Sequence, residues 1–287
     1  TGIIGTSTSS TMYGLYYSPN STASAEISGN SIYGLDHKYS VYGLYVGAGS
    51  VNNVFRNKVY NIAYTGTSSY IAYGLSSSGG TTNNIYNNYV YDIKAPASTT
   101  SAGTRALNFS GGTTANVYYN TVYIDYVSTV ATNQSAALYV TTSPTTLNMN
   151  NNIFINKCDM TIGTMAAAFY KSTSALTNLG NANNNNLFYA GVPGAKNLIY
   201  YDATNSDQTL AAFQTRMAPR ENLSVTENVL FASSVSPYNL HIPNATTTVT
   251  ESGGIGIAGI TSDFDGEIRQ GNPGYSGSGV STDIGAD

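Results

Sequence analysis

Apolar and polar residues alternate in short runs from about residue 12 to residue 190, and the runs fall into two interleaved columns. The phrase Asn84-Ile85-Tyr86-Asn87-Asn88-Tyr89-Val90-Tyr91-Asp92-Ile93 represents the first column. Taking its central asparagine as origin gives Asn30, Asn57, Asn88, Asn120, Asn151 and Asn185, at intervals of 27, 31, 32, 31 and 34 residues. Two positions on lies an aliphatic residue (Ile32, Val59, Val90, Val122, Ile153, Leu187), and three positions on an aromatic ring (Tyr33, Tyr60, Tyr91, Tyr123, Phe154, Phe188). Such columns in one chain predict stacked copies of a single supersecondary unit.

The second column pairs a small residue with a large apolar one: Gly14-Leu15, Gly43-Leu44, Gly74-Leu75, Ala106-Leu107, Ala137-Leu138 and Ala168-Phe169. Each period therefore holds at least two short strands, joined by turns of Ser, Gly, Thr and Asn such as Ser78-Gly79-Gly80-Thr81-Thr82. No 3.6-residue apolar period persists across a repeat, which excludes helical repeats of similar length. The pattern predicts an all-β fold, a right-handed parallel β-helix (solenoid) with an irregular C-terminal cap. In it the asparagines sit at a bend and bond from rung to rung, while the leucine column faces inward. Residues 1–190 are the regular coils of about 31 residues, and residues 191–287 continue and cap the same domain.

The edges of the repeat carry their own expectations. Thr11-Met12-Tyr13-Gly14-Leu15-Tyr16-Tyr17 reads as a first, partial coil whose open face a preceding domain or a second copy would cover. Insertions at Ala95–Thr104 and Val127–Ser135 occupy one corner of successive coils and so lie side by side. Beyond Asn186, Ser206–Gln214 reads as a short helix capped by Ser206 or Asp207, with Leu210 and Phe213 on one face. Strands are expected again at Asn228–Phe231, Tyr238–Ile242 and Gly254–Ile260, and the remaining tail is the candidate end cap.

The Asn-x-aliphatic-aromatic coils, the Leu-Ala-Ala-Phe-Gln segment, the Asn-Leu-His-Ile strand and the closing Asp-Phe-Asp-Gly-x-x-Arg and Asp-Ile-Gly-Ala phrases together resemble one family. It is that of the right-handed parallel β-helix repeat proteins of exported bacterial surface polypeptides, particularly of Bacteroidetes-type bacteria. The resemblance implies an extracellular, cell-surface location. It departs from the family's tail at Asn244-Ala245-Thr246-Thr247-Thr248, where a Ser-Pro-Ala-Ile-like phrase usually follows the Leu-His strand.

Composition narrows the function classes. Only 9% of the 287 residues are charged, well below the ~25% usual in soluble domains, and amides and hydroxyls supply the polarity. The net charge of −4, with no clustered Lys/Arg face, argues against nucleic acid, and no run is apolar enough for membrane insertion. Cys158 is the only cysteine, so no intrachain disulfide forms, and its neighbours Met160 and Ile162 mark it as core filler.

Candidate chemistry lies where the repeat does not explain a residue. A β-helix lyase or hydrolase needs several carboxylates on one face. Glu26, Asp36, Asp92, Asp125 and Asp159 fall at different offsets from their coil asparagines, which argues against turnover. Asp36-His37-Lys38 reads as a solvated turn and His241 as a structural histidine. In Asp263-x-Asp265-Gly266-Glu267, the donors Asp263, Asp265 and Glu267 around a Gly turn fit Ca2+, against which stands an ion pair of Asp263 or Asp265 with Arg269. Among the 25 tyrosines, Tyr16, Tyr45, Tyr139 and Tyr170 are the candidates for an exposed ligand-binding stripe. Thr81-Thr82, Thr113-Thr114 and Thr145-Thr146 stack as in ice-binding solenoids. The expected function is a non-catalytic structural or adhesive segment of an exported surface protein or fibre, partnered by neighbouring domains or copies through its ends and by polysaccharide. A polysaccharide lyase or hydrolase is the first alternative, and a carbohydrate- or ice-binding module the second.

Overall fold

The computed structural model describes residues 3–7, 9–243, 246–277 and 279–287; Asn244 and Ala245 of the divergent tail phrase, and Thr1 and Gly2 of the first coil, lie outside the described residues. The chain forms a parallel β-solenoid of about six turns with three sheets. The first sheet stacks Ile3–Gly5, Ser31–His37, Lys58–Tyr64, Tyr89–Lys94, Thr121–Ile124, Ile153–Asn156 and Leu187–Tyr189. The second stacks Met12–Tyr17, Val41–Val46, Ala72–Ser78, Thr104–Gly111, Gln134–Val140, Met165–Lys171 and Asn197–Tyr201, with Ser206–Asp207 added antiparallel. The third stacks Ala25–Ser28, Val51–Phe55, Thr82–Tyr86, Thr114–Tyr118 and Thr146–Asn150.

The leucine column faces inward in the register expected, Leu15↔Leu44↔Leu75↔Leu107↔Leu138↔Phe169, and Tyr200 extends it. Leu44 through Phe169 are fully buried. The small residue before each leucine exists because the first and second sheets converge there. A Cβ at Gly74 would lie 2.5 Å from Val90 Cγ1, closer than side chains pack.

The corner between the third and first sheets sets the rung geometry. Gly29, Arg56, Asn87, Tyr119, Asn151 and Asn185 all adopt left-handed backbone, with φ of 67, 52, 51, 53, 60 and 54°. The residue after each is the buried or half-buried ladder amide. Asn30, Asn57, Asn88 and Asn120 hold the ladder as expected, but the next rungs are Asn152 and Asn186, one residue later than the spacing predicted. Each Nδ2 donates to the next Oδ1, at 2.9, 3.0, 2.9, 2.9 and 2.9 Å. The shift moves the following strands too. Phe154 and Phe188 continue the inward column Val59↔Val90↔Val122, and Ile155 and Tyr189 continue the outward one of Tyr60, Tyr91 and Tyr123. The aromatic column read from sequence thus mixes two faces.

From the second rung on, each ladder Oδ1 also accepts the backbone N–H of the preceding rung's asparagine, and each Nδ2 reaches a carbonyl one turn back, as Asn120 does to Ile85 O at 2.8 Å. After Asn186 the ladder ends in a split acceptor. Ser224 Oγ accepts the Asn186 N–H at 2.9 Å, and the buried Glu221 carboxylate accepts Asn186 Nδ2 at 3.0 Å and the Ser224 hydroxyl. A second amide ladder on the outer face of the third sheet runs with the opposite sense. There Asn84, Asn116 and Asn148 each donate 2.8 Å bonds to Asn53, Asn84 and Asn116.

Two C-terminal expectations change. The helix spans Leu210–Met217, with Thr209 as its N-cap through an Oγ1 that accepts Ala212 N–H; Ser206 and Asp207 lie in strand, and Asp207 pairs with Arg216 at 2.6 Å. Phe213 packs against Phe169, Phe188 and Tyr200, and Met217 is buried in the same cluster, so this helix closes the end of the core. The tail does not cap that end. The described residues of 226–287 hold no strand of the kind expected at 228–231, 238–242 and 254–260, only isolated bridges, and they lie along the flank of the first sheet as a strap. Val229, Phe231, Leu240 and Ile284 bury the outward Tyr89, Tyr91, Tyr123, Ile153 and Ile155. The inserted loops do lie side by side, with Thr129 N bonded to Pro96 O at 2.9 Å and Asn133 Nδ2 to Ala95 O at 2.8 Å.

Asn120 is bonded to both neighbouring rungs inside the core, so Asn120→Ala orphans several buried groups and should cost about 3–5 kcal/mol, whereas Asn116→Ala in the half-buried outer ladder should cost about 1 kcal/mol or less. Urea unfolding of the two variants checks the contrast. Burial raises the Glu221 pKa from 4.5 to about 7. Between those values the native state holds a proton that the unfolded chain has lost, so stability should fall as pH rises from about 4.5 through about 7. Glu221→Gln should flatten that part of the profile in urea midpoints measured across pH.

Candidate functional site

The outward positions of the second sheet at its N-terminal end are filled by tyrosine. Two columns stand side by side, Tyr13↔Tyr42↔Tyr73 and Tyr16↔Tyr45. Within a column the rings are parallel: Tyr13 and Tyr42 at 4.9 Å, Tyr42 and Tyr73 at 4.0 Å, Tyr16 and Tyr45 at 5.0 Å. Between columns they are edge-on, at 76° for Tyr13 and Tyr16 and 87° for Tyr42 and Tyr45. The result is a herringbone pavement of five rings, most open at Tyr16 (57% exposed) and Tyr13 (39%). Stacking at the rung spacing produces the parallel rings within each column, and the two columns share one face although three residues apart because Gly14 and Leu15, like Gly43 and Leu44, both turn inward between them.

The four tyrosines selected from sequence do occupy one column, Tyr16↔Tyr45↔Ser76↔Asn108↔Tyr139↔Tyr170↔Tyr201, but it is not one stripe. Ser76 and Asn108 interrupt it, with Asn108 Nδ2 bonded to Ser76 Oγ at 2.8 Å. Tyr139 and Tyr170 are buried, contrary to expectation. The Arg105 guanidinium lies 3.7 Å from the Tyr139 ring centre, Tyr201 meets Tyr170 edge-on at 4.9 Å, and Ala102, Met165 and Leu198 complete the cover. Tyr73, at the border under the same arginine, was not singled out by its sequence. Its place beside Tyr42 in the repeat was the available signal.

The acids of the coils are each engaged locally: Glu26 by Ser28, Asp36 by Thr65, Asp92 by Lys94, Asp125 by Tyr123 and Asp159 by Thr161. Asp92 has a backbone role as well, since Gly34, Asn61 and Asp92 share a left-handed position, φ 72, 52 and 51°, between Tyr33-Tyr60-Tyr91 and Leu35-Ile62-Ile93. His37 is buried with Nε2 against Ser10 O at 2.6 Å. Cys158 is buried and burial raises its thiol pKa, so the thiolate is disfavoured. Lys171 was missed. It ends the inward column Ser77↔Phe109↔Val140↔Lys171, donates to Asn178 Oδ1 at 2.7 Å, and burial lowers its pKa to about 8.

Of the acidic tail residues, Asp263 is committed to a turn, its Oδ1 accepting the N–H groups of Gly266 and Glu267 at 2.8 Å each. Asp265 faces His241 at 3.4 Å, and Glu267 stays exposed. Neither Asp263 nor Asp265 bridges to Arg269. That guanidinium, 5% exposed, lies 4.0 Å from the Tyr119 ring centre and donates to Asn87 Oδ1, Gly285 O and Asp287 O, sewing the strap to the coils. The left-handed corner residues supply the other stitches. Asn185 bonds Gly253 O, Asn151 and Tyr119 bond Ile255 O, Asn87 bonds Ser262 O, and Arg56 bonds Asp263 O, at 2.9, 2.7, 2.7, 2.7 and 2.9 Å. Between the strap's loops runs a groove lined by Glu251, Asp263, Glu267, Asp283 and Asp287. Burial, and then the charge of Asp283, raise the pKa of Glu251, and burial, with the charge of Asp287, raises that of Asp283.

Among the described residues no helix is long and apolar enough to cross a membrane. The threonines Thr82, Thr114 and Thr146 are in register at the start of third-sheet strands and half-buried, with Thr81, Thr113 and Thr145 exposed beside them. Compared with known proteins, the chain matches no family model, no curated sequence and no solved structure.

Proposed function

We propose that this solenoid is a non-catalytic adhesive segment of an exported bacterial surface protein or extracellular fibre, and that it holds polysaccharide on the tyrosine pavement of the second sheet. The pavement carries the reading. Five rings are fixed against one another by stacking before any ligand arrives, so little side-chain entropy is lost on contact, and the hydroxyl edges supply hydrogen bonds to sugar hydroxyls. The local engagement of every coil carboxylate agrees with a surface that binds without cleaving.

One observation favours a second reading, hydrolysis in the strap groove: the raised pKa values of Glu251 and Asp283, which suit a general acid. It ranks below adhesion because Asp263, Asp283 and Asp287 already accept backbone N–H groups, from Gly266 and Glu267, Ser252 and Ile242.

Affinity electrophoresis in gels cast with neutral and acidic polysaccharides tests both. At least one polysaccharide should retard the protein, and Tyr16→Ala with Tyr45→Ala should weaken that retardation roughly tenfold, the order expected for losing about 1.4 kcal/mol of ring contact. Unretarded migration throughout, or retardation indifferent to the two substitutions, sinks the adhesive reading. Release of reducing ends that disappears in Asp283→Asn would put the hydrolase in its place.

A further inference from the structure

Three segments far apart in sequence bring His241, Asp265 and Asp287 together at the edge of the strap. One ligand atom from each, the imidazole Nδ1 and two carboxylate oxygens, lies within 4.8 Å of the other two. His241 Nδ1 is 2.9 Å from Asp287 Oδ1 and 3.4 Å from Asp265 Oδ2. A tetrahedral cation with bonds of about 2.0–2.2 Å holds its ligand atoms about 3.3–3.6 Å apart, so small movements of these partly exposed side chains convert this cluster into three corners of such a site. Asp287 is already oriented for it. Its Oδ2 accepts Ile242 N–H at 2.9 Å, and the Arg269 guanidinium holds the Asp287 backbone carbonyl at 3.1 Å.

A second, independent observation lies beneath the cluster. The Tyr89 hydroxyl is buried without a hydrogen-bond partner, on a side chain only 2% exposed. Its ring meets the His241 ring at 5.5 Å and Phe264 at 4.8 Å, and the Asp287 and Asp265 carboxylates lie near enough for their charges to act on it. An orphaned buried phenol beside two carboxylates and an imidazole is the environment in which a water on a cation's fourth position finds a partner.

We propose that His241 Nδ1, Asp265 and Asp287 bind one zinc-class divalent cation, which clamps the segments around residues 241, 265 and 287 of the strap to one another. Two carboxylates around a neutral imidazole leave a charge of −2 that a divalent cation cancels. Binding displaces the proton from Nδ1, and the neutral ring keeps its proton at Nε2. Calcium is disfavoured, because it takes six to eight oxygen donors and this cluster offers a nitrogen among three. Of the residues expected to hold Ca2+, only Asp265 belongs to this set.

Isothermal titration of the tag-free, chelator-stripped chain with zinc chloride and, separately, calcium chloride tests the assignment. One equivalent of zinc should bind in the micromolar range or tighter and raise the midpoint of thermal unfolding. His241→Ala and Asp265→Asn, both at partly exposed positions, should each weaken binding at least tenfold while leaving the metal-free unfolding midpoint near that of the parent. Cobalt(II) in place of zinc should give the intense visible bands of four-coordination. No zinc uptake, equal uptake by the two variants, calcium bound more tightly than zinc, or a weak six-coordinate cobalt spectrum would each overturn the proposal.

Discussion

A buried primary amide has four hydrogen-bonding needs and no water to meet them, and the corner ladder meets them only if successive turns stack in one register. Asn57, Asn88, Asn120 and Asn152 each satisfy the rung behind with Oδ1 and the rung ahead with Nδ2. Everything else about the solenoid follows that registration. Leucine stacks on leucine and tyrosine on tyrosine because the corner allows no slip, and the ladder must end on groups that mimic another asparagine. Ser224 and Glu221 divide that task, which places a carboxylate in the core.

The same corner feeds the strap. A left-handed residue directs its side chain away from the path of its neighbours, so the position before each ladder amide is free to carry any side chain that can tolerate or compensate that backbone. Arg56, Asn87, Tyr119, Asn151 and Asn185 use this freedom to bind the carbonyls of the returning tail. The outward face of the first sheet is thereby converted into a second apolar layer, Tyr91 and Tyr123 under Phe231 and Tyr238. Among the described residues no such cover lies over the first turns of the second sheet, where Tyr13 and Tyr16 stay open to solvent and Tyr42 and Tyr45 are half-buried.

How far the sequence could be read depended on the range of the interactions. Columns spaced by one turn were legible because each turn repeats the same steric demands, and the leucine column was read without error. The asparagine column slipped by one residue at Asn150-Asn151-Asn152, where three amides in a row look alike. Only the need for a left-handed residue at 151, with its side chain turned to Ile255, selects Asn152 for the ladder. Likewise Tyr139 and Tyr170 were correctly placed in the column of Tyr16 and Tyr45, but Arg105 and Ala102 bury them from a neighbouring column and an inserted loop. The strap and the His241-Asp265-Asp287 cluster were invisible for a plainer reason. Their contacts join irregular segments to one another and to coils as much as 207 residues away, with no periodicity to betray them.

The stitches between strap and corners run in strict succession, Gly253 on the turn of Asn185, Ile255 on those of Asn151 and Tyr119, Ser262 and Asp263 on those of Asn87 and Arg56. The tail is therefore a ruler laid along the axis. A solenoid can ordinarily gain or lose a whole repeat by duplication or deletion, since each turn touches only its neighbours. Here a turn inserted between Arg56 and Asn185 would displace every anchor on one side of it by about 4.8 Å, a full strand spacing, and leave the strap one carbonyl out of step. Growth by repeat duplication is thus confined to the turns before Arg56, where all of the tyrosine pavement but Tyr73 lies, so the binding face can lengthen while the strapped half keeps a fixed count.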